Sequence, residues 1–139
     1  MPGNHHFRGP FALARGAPGR PQCRAEEVSL GPTAHASQTD LFNGDLQAEG
    51  TLEYLVAYRE DGSALFVGLE RVVGRLGQRS GSFALQSSGT YQPGQPMGCD
   101  WTVVPGSGTG ELHGLKGGGG YTFQPGETTI PFRLDYDLE

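Results

Sequence analysis

The stretch "DLQAEGTLEYLVAY" (45–58), followed by "REDGS" (59–63) and "ALFVGLERVVGRL" (64–76), constrains the fold of this chain more than any other. Leu46, Ala48, Leu52, Tyr54, Val56 and Tyr58 share one parity, while Asp45, Gln47, Glu49, Thr51 and Glu53 share the other. Side chains alternate across a strand with that period, so the run predicts a half-buried β-strand. Asp61-Gly62 is a hairpin signal, because the tight turns that match strand twist need the backbone freedom of glycine. Such a hairpin pairs residues whose numbers sum to about 122, which sets Leu52 near Glu70 and Thr51 near Arg71.

Glu70 then shares a face with Tyr54, Val56, Phe66 and Val72. A carboxyl on an apolar, aromatic face has a raised pKa, since burial disfavours its charged form, and it can serve as a general acid or base. The alternative is structural: an ion pair or hydrogen bond that closes a barrel. Glu53 and Arg71 fall on the opposite face at a diagonal, the arrangement of a surface salt bridge, which contributes little stability.

The rest of the chain repeats the pattern. "TAHASQTDLF" (33–42), "SFALQSSGTY" (82–91), "CDWTVV" (99–104), "GELHGL" (110–115), "GYTFQ" (120–124) and "IPFRLDYDLE" (130–139) read as further strands, with "GQRSG" (77–81) as a turn. No window supports a long amphipathic helix. Seven or eight short strands spaced near ten residues predict an antiparallel sandwich or barrel, and a barrel removes exposed edges. The glycines of "VVPGSGTGELHGLKGGGG" (103–120) could instead cradle phosphate. A phosphate-binding loop needs G-x-x-x-x-G-K-S/T opening a helix, however, and Lys116 is followed by glycine. Gly106, Gly108 and Gly110 give G-x-G-x-G rather than a dinucleotide fingerprint. The run is therefore read as turns and strand coiling.

Four sequence blocks, "FNGDLQAEGTLEYL", "ALFVGLERVVGRLGQRSGSFALQ", "WTVVPGSGTGELHGLKG" and "FRLDYDLE", carry a family resemblance. Over residues 33–139 the chain resembles a bacterial family of unknown function, number 3224, similar to allene oxide cyclase-like, calycin-type β-barrels. The resemblance implies an antiparallel barrel of seven to eight strands and no settled activity. It also marks departures: many members carry His where this chain has Ser87, and Glu where it has Gly118.

Composition limits the function. The 139 residues carry a net charge of −5, against nucleic acid, whose binding needs a basic surface. Residues 1–25 hold four arginines and no acid, while the remainder holds six basic and fifteen acidic residues. With its Pro and Gly content, 1–32 reads as a leader, disordered or a degenerate first strand, before a barrel domain at 33–139. Cys23 and Cys99 are too few for a disulfide framework, and no apolar run resembles a signal peptide or membrane span, so a cytoplasmic protein is expected. His5, His6, His35 and His113 lack metal-ligand spacing; neither a metal nor a cofactor is implied. Ser107 has no adjacent base. The expectation is a barrel that binds a hydrophobic small molecule through Tyr54, Phe66, Glu70, Gln86 and Trp101, with Glu70 as catalytic candidate for an isomerisation or cyclisation. The alternative is a non-catalytic carrier, an assembly module or a family member that has lost its activity. A weakened first strand leaves an edge to cover, which suggests a homodimer.

Overall fold

The Asp-Gly turn sets the register of the sheet. The structure is a computed structural model and describes residues 5–12, 25–30, 33–124 and 129–138. Its strands are β1 (His5–Ala12), β2 (Ala25–Leu30), β3 (Thr33–Phe42), β4 (Leu46–Tyr58), β5 (Ala64–Leu76), β6 (Arg79–Tyr91), β7 (Met97–Val103), β8 (Lys116–Phe123) and β9 (Thr129–Asp137). Every β4–β5 partner pair sums to 122, including Leu52↔Glu70 and Thr51↔Arg71. Ser63 donates to the Asp61 carboxylate from its backbone N–H at 2.9 Å and its hydroxyl at 2.5 Å, and Gly62 takes a φ of 86°.

All pairings are antiparallel, and the spatial order is β1-β9-β8-β7-β6-β5-β4-β3-β2. From β2 to β9 the chain is a meander in which neighbours in sequence are neighbours in space. β1 instead crosses to β9, pairing with it over eight positions, and meets the end of β3 at Phe11↔Phe42 and Ala12↔Leu41. The sheet curls around an apolar lumen, but two residue pairs do not close it with a continuous ladder. Pro10 stands opposite Pro131 beside this seam, and neither has an N–H to donate.

Burial follows the alternation. In β5, Ala64, Phe66, Glu70, Val72 and Leu76 point inward and are buried, while Leu65, Val67, Leu69 and Val73 point outward and are exposed. The lower lumen is filled by Phe42, Trp101 and Phe132, whose ring centroids lie 5.5–6.2 Å apart in edge-to-face contacts, with Val72, Phe83, Leu85, Ile130 and Leu134 around them. Such contacts add to the area they bury. Along rows across the sheet each large inward residue has small ones on both sides, as in Ala36–Tyr54–Gly68–Ser87–Trp101–Gly119. That spacing of large side chains lets a narrow lumen fill without strain.

Three local readings change. The reversal expected over 77–81 is a two-residue loop: Leu76 pairs with Arg79, and Gly77 takes the φ of 62° that such a loop needs at its first position. Residues 110–115 are not a strand. Gly110 and Gly114 have φ of 60° and 85°, and a 3-10 turn over Gly110–Leu112 is held by Leu112 N–H to Thr109 O at 3.0 Å. Leu112 and Leu115, three apart, are buried against the core instead of alternating. The glycine run 117–120 lies within β8 and is not a reversal; a Cβ at Gly119 or Gly120 would strike the carbonyl oxygen of Arg133 or Cys99 on the flanking strands. Among the described residues, no helix is long and apolar enough to cross a membrane.

Candidate functional site

β3 places Ala34, Ala36, Gln38, Asp40 and Phe42 inward. Two of these are polar, and with Glu70 they form a buried cluster: Gln38, Asp40 and Glu70 are 3%, 4% and 2% exposed. The register explains how they meet. Gln38 pairs with Leu52, and Leu52 with Glu70; one step along β4, Asp40 pairs with Gly50. Gly50 faces inward without a side chain, and a Cβ there would collide with the Glu70 carboxyl and lie 2.9 Å from the Phe42 ring. This vacancy on β4 lets the Asp40 and Glu70 side chains hydrogen-bond across the strand. Gln38 Nε2 donates to Asp40 Oδ1 at 2.6 Å.

Burial pushes the Glu70 carboxyl well above its ordinary pKa, and the charge and hydrogen bond of Asp40 push it further. Two carboxyls this close in a dry interior cannot both ionise, so Glu70 keeps the proton and donates to Asp40. Glu70 Oε2 and Gln38 Oε1 are buried without a hydrogen-bond partner among the described residues.

Beside this cluster the lumen opens into a cavity of about 190 Å³, lined by Gln38, Leu52, Tyr54, Val56, Phe66 and Tyr121, with Tyr58, Ala64, Tyr91 and Met97 toward its mouth. Tyr54 and Phe66 meet edge to face, centroids 5.8 Å apart. Gly68 and Gly89 make this packing feasible: a Cβ at Gly68 would lie within 2.5 Å of the Tyr54 Cβ, and one at Gly89 would strike the Phe66 ring.

The residues expected from the sequence divide. Tyr54 and Phe66 line the cavity. Glu70 lies in the next position of the row beyond Leu52 and does not line it. Trp101 belongs to the packed core, where its indole N–H donates to Arg133 O at 3.1 Å. Gln86 is on the outer wall: it pairs with Leu69, so its parity is opposite to Glu70, and it lines an open depression of about 550 Å³ with Leu55 and Val67. Ser87 is buried inside, whereas Gly118 pairs with exposed Thr102 and so has outward parity, and the two positions face opposite sides of the wall. Glu53 accepts from His35 at 2.8 Å and from the Ser37 hydroxyl at 3.3 Å, in place of the salt bridge to Arg71 expected on that face.

Ser107 is structural. Its hydroxyl donates to Val104 O at 2.6 Å and accepts from Ala84 N–H at 3.0 Å. Cys99 is a free buried thiol that burial pushes up to about 12, which makes it unreactive as a nucleophile. Among the described residues, no group of three His, Cys, Asp or Glu side chains could hold a metal ion. Sequence reasoning passes over Gln38, Asp40 and Gly50. The signal for the first two was present in "TAHASQTDLF", where both polar residues share parity with Phe42.

A curled antiparallel sheet with a buried carboxyl pair beneath an aromatic mouth defines a small all-β protein of the lumen-forming kind. The chain belongs to the DUF3224 family, described as protein of unknown function, which it matches over residues 9–136. It is similar to a crystal structure at 1.84 Å resolution of a DUF3224 family protein of unknown function from Shewanella oneidensis MR-1. The two share 29% identity at a TM-score of 0.72, over 99% of this chain and 98% of the other. No curated protein matches the sequence.

Proposed function

We propose that the chain binds a small hydrophobic molecule in the aromatic cavity at the mouth of its lumen. The observation that carries this reading is the cavity itself: about 190 Å³, walled by Tyr54, Phe66 and Tyr121. Drug-sized ligands need about 300 Å³ or more, whereas an apolar cavity of about 150 Å³ already holds benzene. The ligand is therefore a single ring or its aliphatic equivalent. The resemblance of the sequence blocks to allene oxide cyclase-like, calycin-type barrels supports the same reading, since such barrels would hold a ligand inside a curled sheet. Binding without catalysis is favoured by the position of Glu70: the buried acid is separated from the cavity by Leu52, so it could act on a ligand only if that ligand displaced the lining.

Aromatic-resonance NMR tests the proposal. Toluene or phenol at millimolar concentration should shift the Tyr54 and Phe66 signals in a saturable way. Ala64→Phe, which fills the cavity from its wall, should abolish those shifts while leaving the fold intact. Unmoved Tyr54 and Phe66 signals in the wild-type protein would remove the binding reading.

A further inference from the structure

We infer that two copies of this chain dimerise through the outer wall of β4 and β5, packed face to face about a two-fold axis. The inference is independent of ligand binding, because this wall faces away from the lumen. β5 is apolar on both sides: Phe66, Val72 and Leu76 fill the core, while Leu65, Val67, Leu69 and Val73 point into solvent. Strands that read as continuous apolar runs, as "ALFVGL" does, belong to sheets covered on both faces. Val67 and Leu69 are 51% and 55% exposed, and Leu55, 52% exposed, stands opposite Val67 on β4. These three line the open outer depression of about 550 Å³, a recess that apolar side chains of a second wall can fill.

Charge identifies the occupant. On this wall the acids lie on β4 and the bases on β5: Glu49 and Glu53 against Arg71 and Arg75. Neither Glu49 nor Arg71 makes an ion pair among the described residues. A two-fold axis running along the strands between β4 and β5 sets each β4 against the β5 of the other copy. Residues that pair within one chain then face each other between chains, so Arg71 comes over the partner's Thr51. Glu49 and Glu53 flank that position by two residues, about 7 Å along the strand on either side. Arg71 therefore enters between two carboxylates, and the symmetry makes the contact twice. The same axis brings Leu55 onto the partner's Val67. Size agrees as well. β3 to β6 form a wall about 19 Å wide and up to about 40 Å long, close to the roughly 800 Å² that each partner gives a standard interface.

Sedimentation equilibrium of the full chain at tens of micromolar tests the inference. The wild type should have twice the 14.8 kDa mass of one chain. Leu69→Lys buries an unpaired ammonium in the contact and should raise the dissociation constant about thirtyfold or more, while circular dichroism shows the fold retained. Val67→Lys should do the same, and it decides the matter if Leu69→Lys does not fold. Charge reversal then tests the register. Arg71→Glu alone, and Glu49→Lys combined with Glu53→Lys, should each give monomers, because each sets like charges together across the axis. An equimolar mixture of the two should recover the dimer. A wild type of 14.8 kDa would overturn the inference and leave the wall to another partner. A dimer that survives both lysine substitutions would overturn it too, placing the contact on another surface. Charge-reversed monomers that do not combine on mixing would overturn the two-fold register.

Discussion

Replacing Glu70 by glutamine should stabilise this protein progressively as pH rises. The native state holds a proton on Glu70 because burial and Asp40 raise its pKa above the ordinary 4.5. The unfolded chain releases that proton as pH passes through the ordinary value. Over the window between the two pKa values the unfolded state binds fewer protons, so stability is complete below about pH 4.5 and is lost as pH rises, by about 1.4 kcal/mol per pH unit for one proton. Glutamine matches the protonated carboxyl: its amide N–H can donate to Asp40 and its oxygen can take the place of Oε2 beside Gly50. The variant does not titrate at this position, so its advantage over wild type should grow by about 1.4 kcal/mol per pH unit from just above 4.5 until the pH reaches the raised native pKa of Glu70, and then level off. With a urea m-value of about 1–3 kcal/mol/M, the midpoint gap should widen by about 0.5–1.4 M per pH unit. Trp101 is the single tryptophan and is buried in the core, so its fluorescence reports the melts. A difference between the two proteins that stays constant as pH rises from 4.5, or a wild type that gains on the variant, would refute the proton-sharing pair.

Two further outcomes follow from packing. Gly50→Ala should cost about 1–3 kcal/mol in urea melts at pH 5, because its Cβ meets the Glu70 carboxyl and the Phe42 ring; an unchanged midpoint would place Glu70 elsewhere. A chain beginning at residue 33 should lose cooperative unfolding, since β1 pairs with β9 along eight positions, and wild-type melting of that chain would return the folded unit to 33–139.

Much of the sheet is legible in the sequence. Hairpin pairing is arithmetic once a turn is located, and Asp61-Gly62 located one, so the facing of Leu52 on Glu70 follows from numbering alone. Parity then put Glu70, Tyr54 and Phe66 on one side. The same parity rule places Gln86 outside, opposite Leu69, because Leu85 is the residue that faces Glu70. The "GELHGL" segment misleads for a different reason. Its leucines sit three apart, a spacing that alternation does not produce, and two glycines at positive φ turn it into a 3-10 segment.

An all-β chain, the strands from Thr33 onward to within a few residues at most ends, and the inward parity of Glu70 are all legible in the residues alone. These are local properties, carried by alternation and turn residues. What Glu70 meets is set by contacts between distant strands. Asp40 lies thirty positions earlier and reaches it across a strand whose inward residue, Gly50, is missing a side chain. A glycine in a strand reads as a weakness when seen alone. Between two carboxyls it is the space that brings them into contact, and curvature of the sheet then sets Gln38 at the edge of an aromatic cavity.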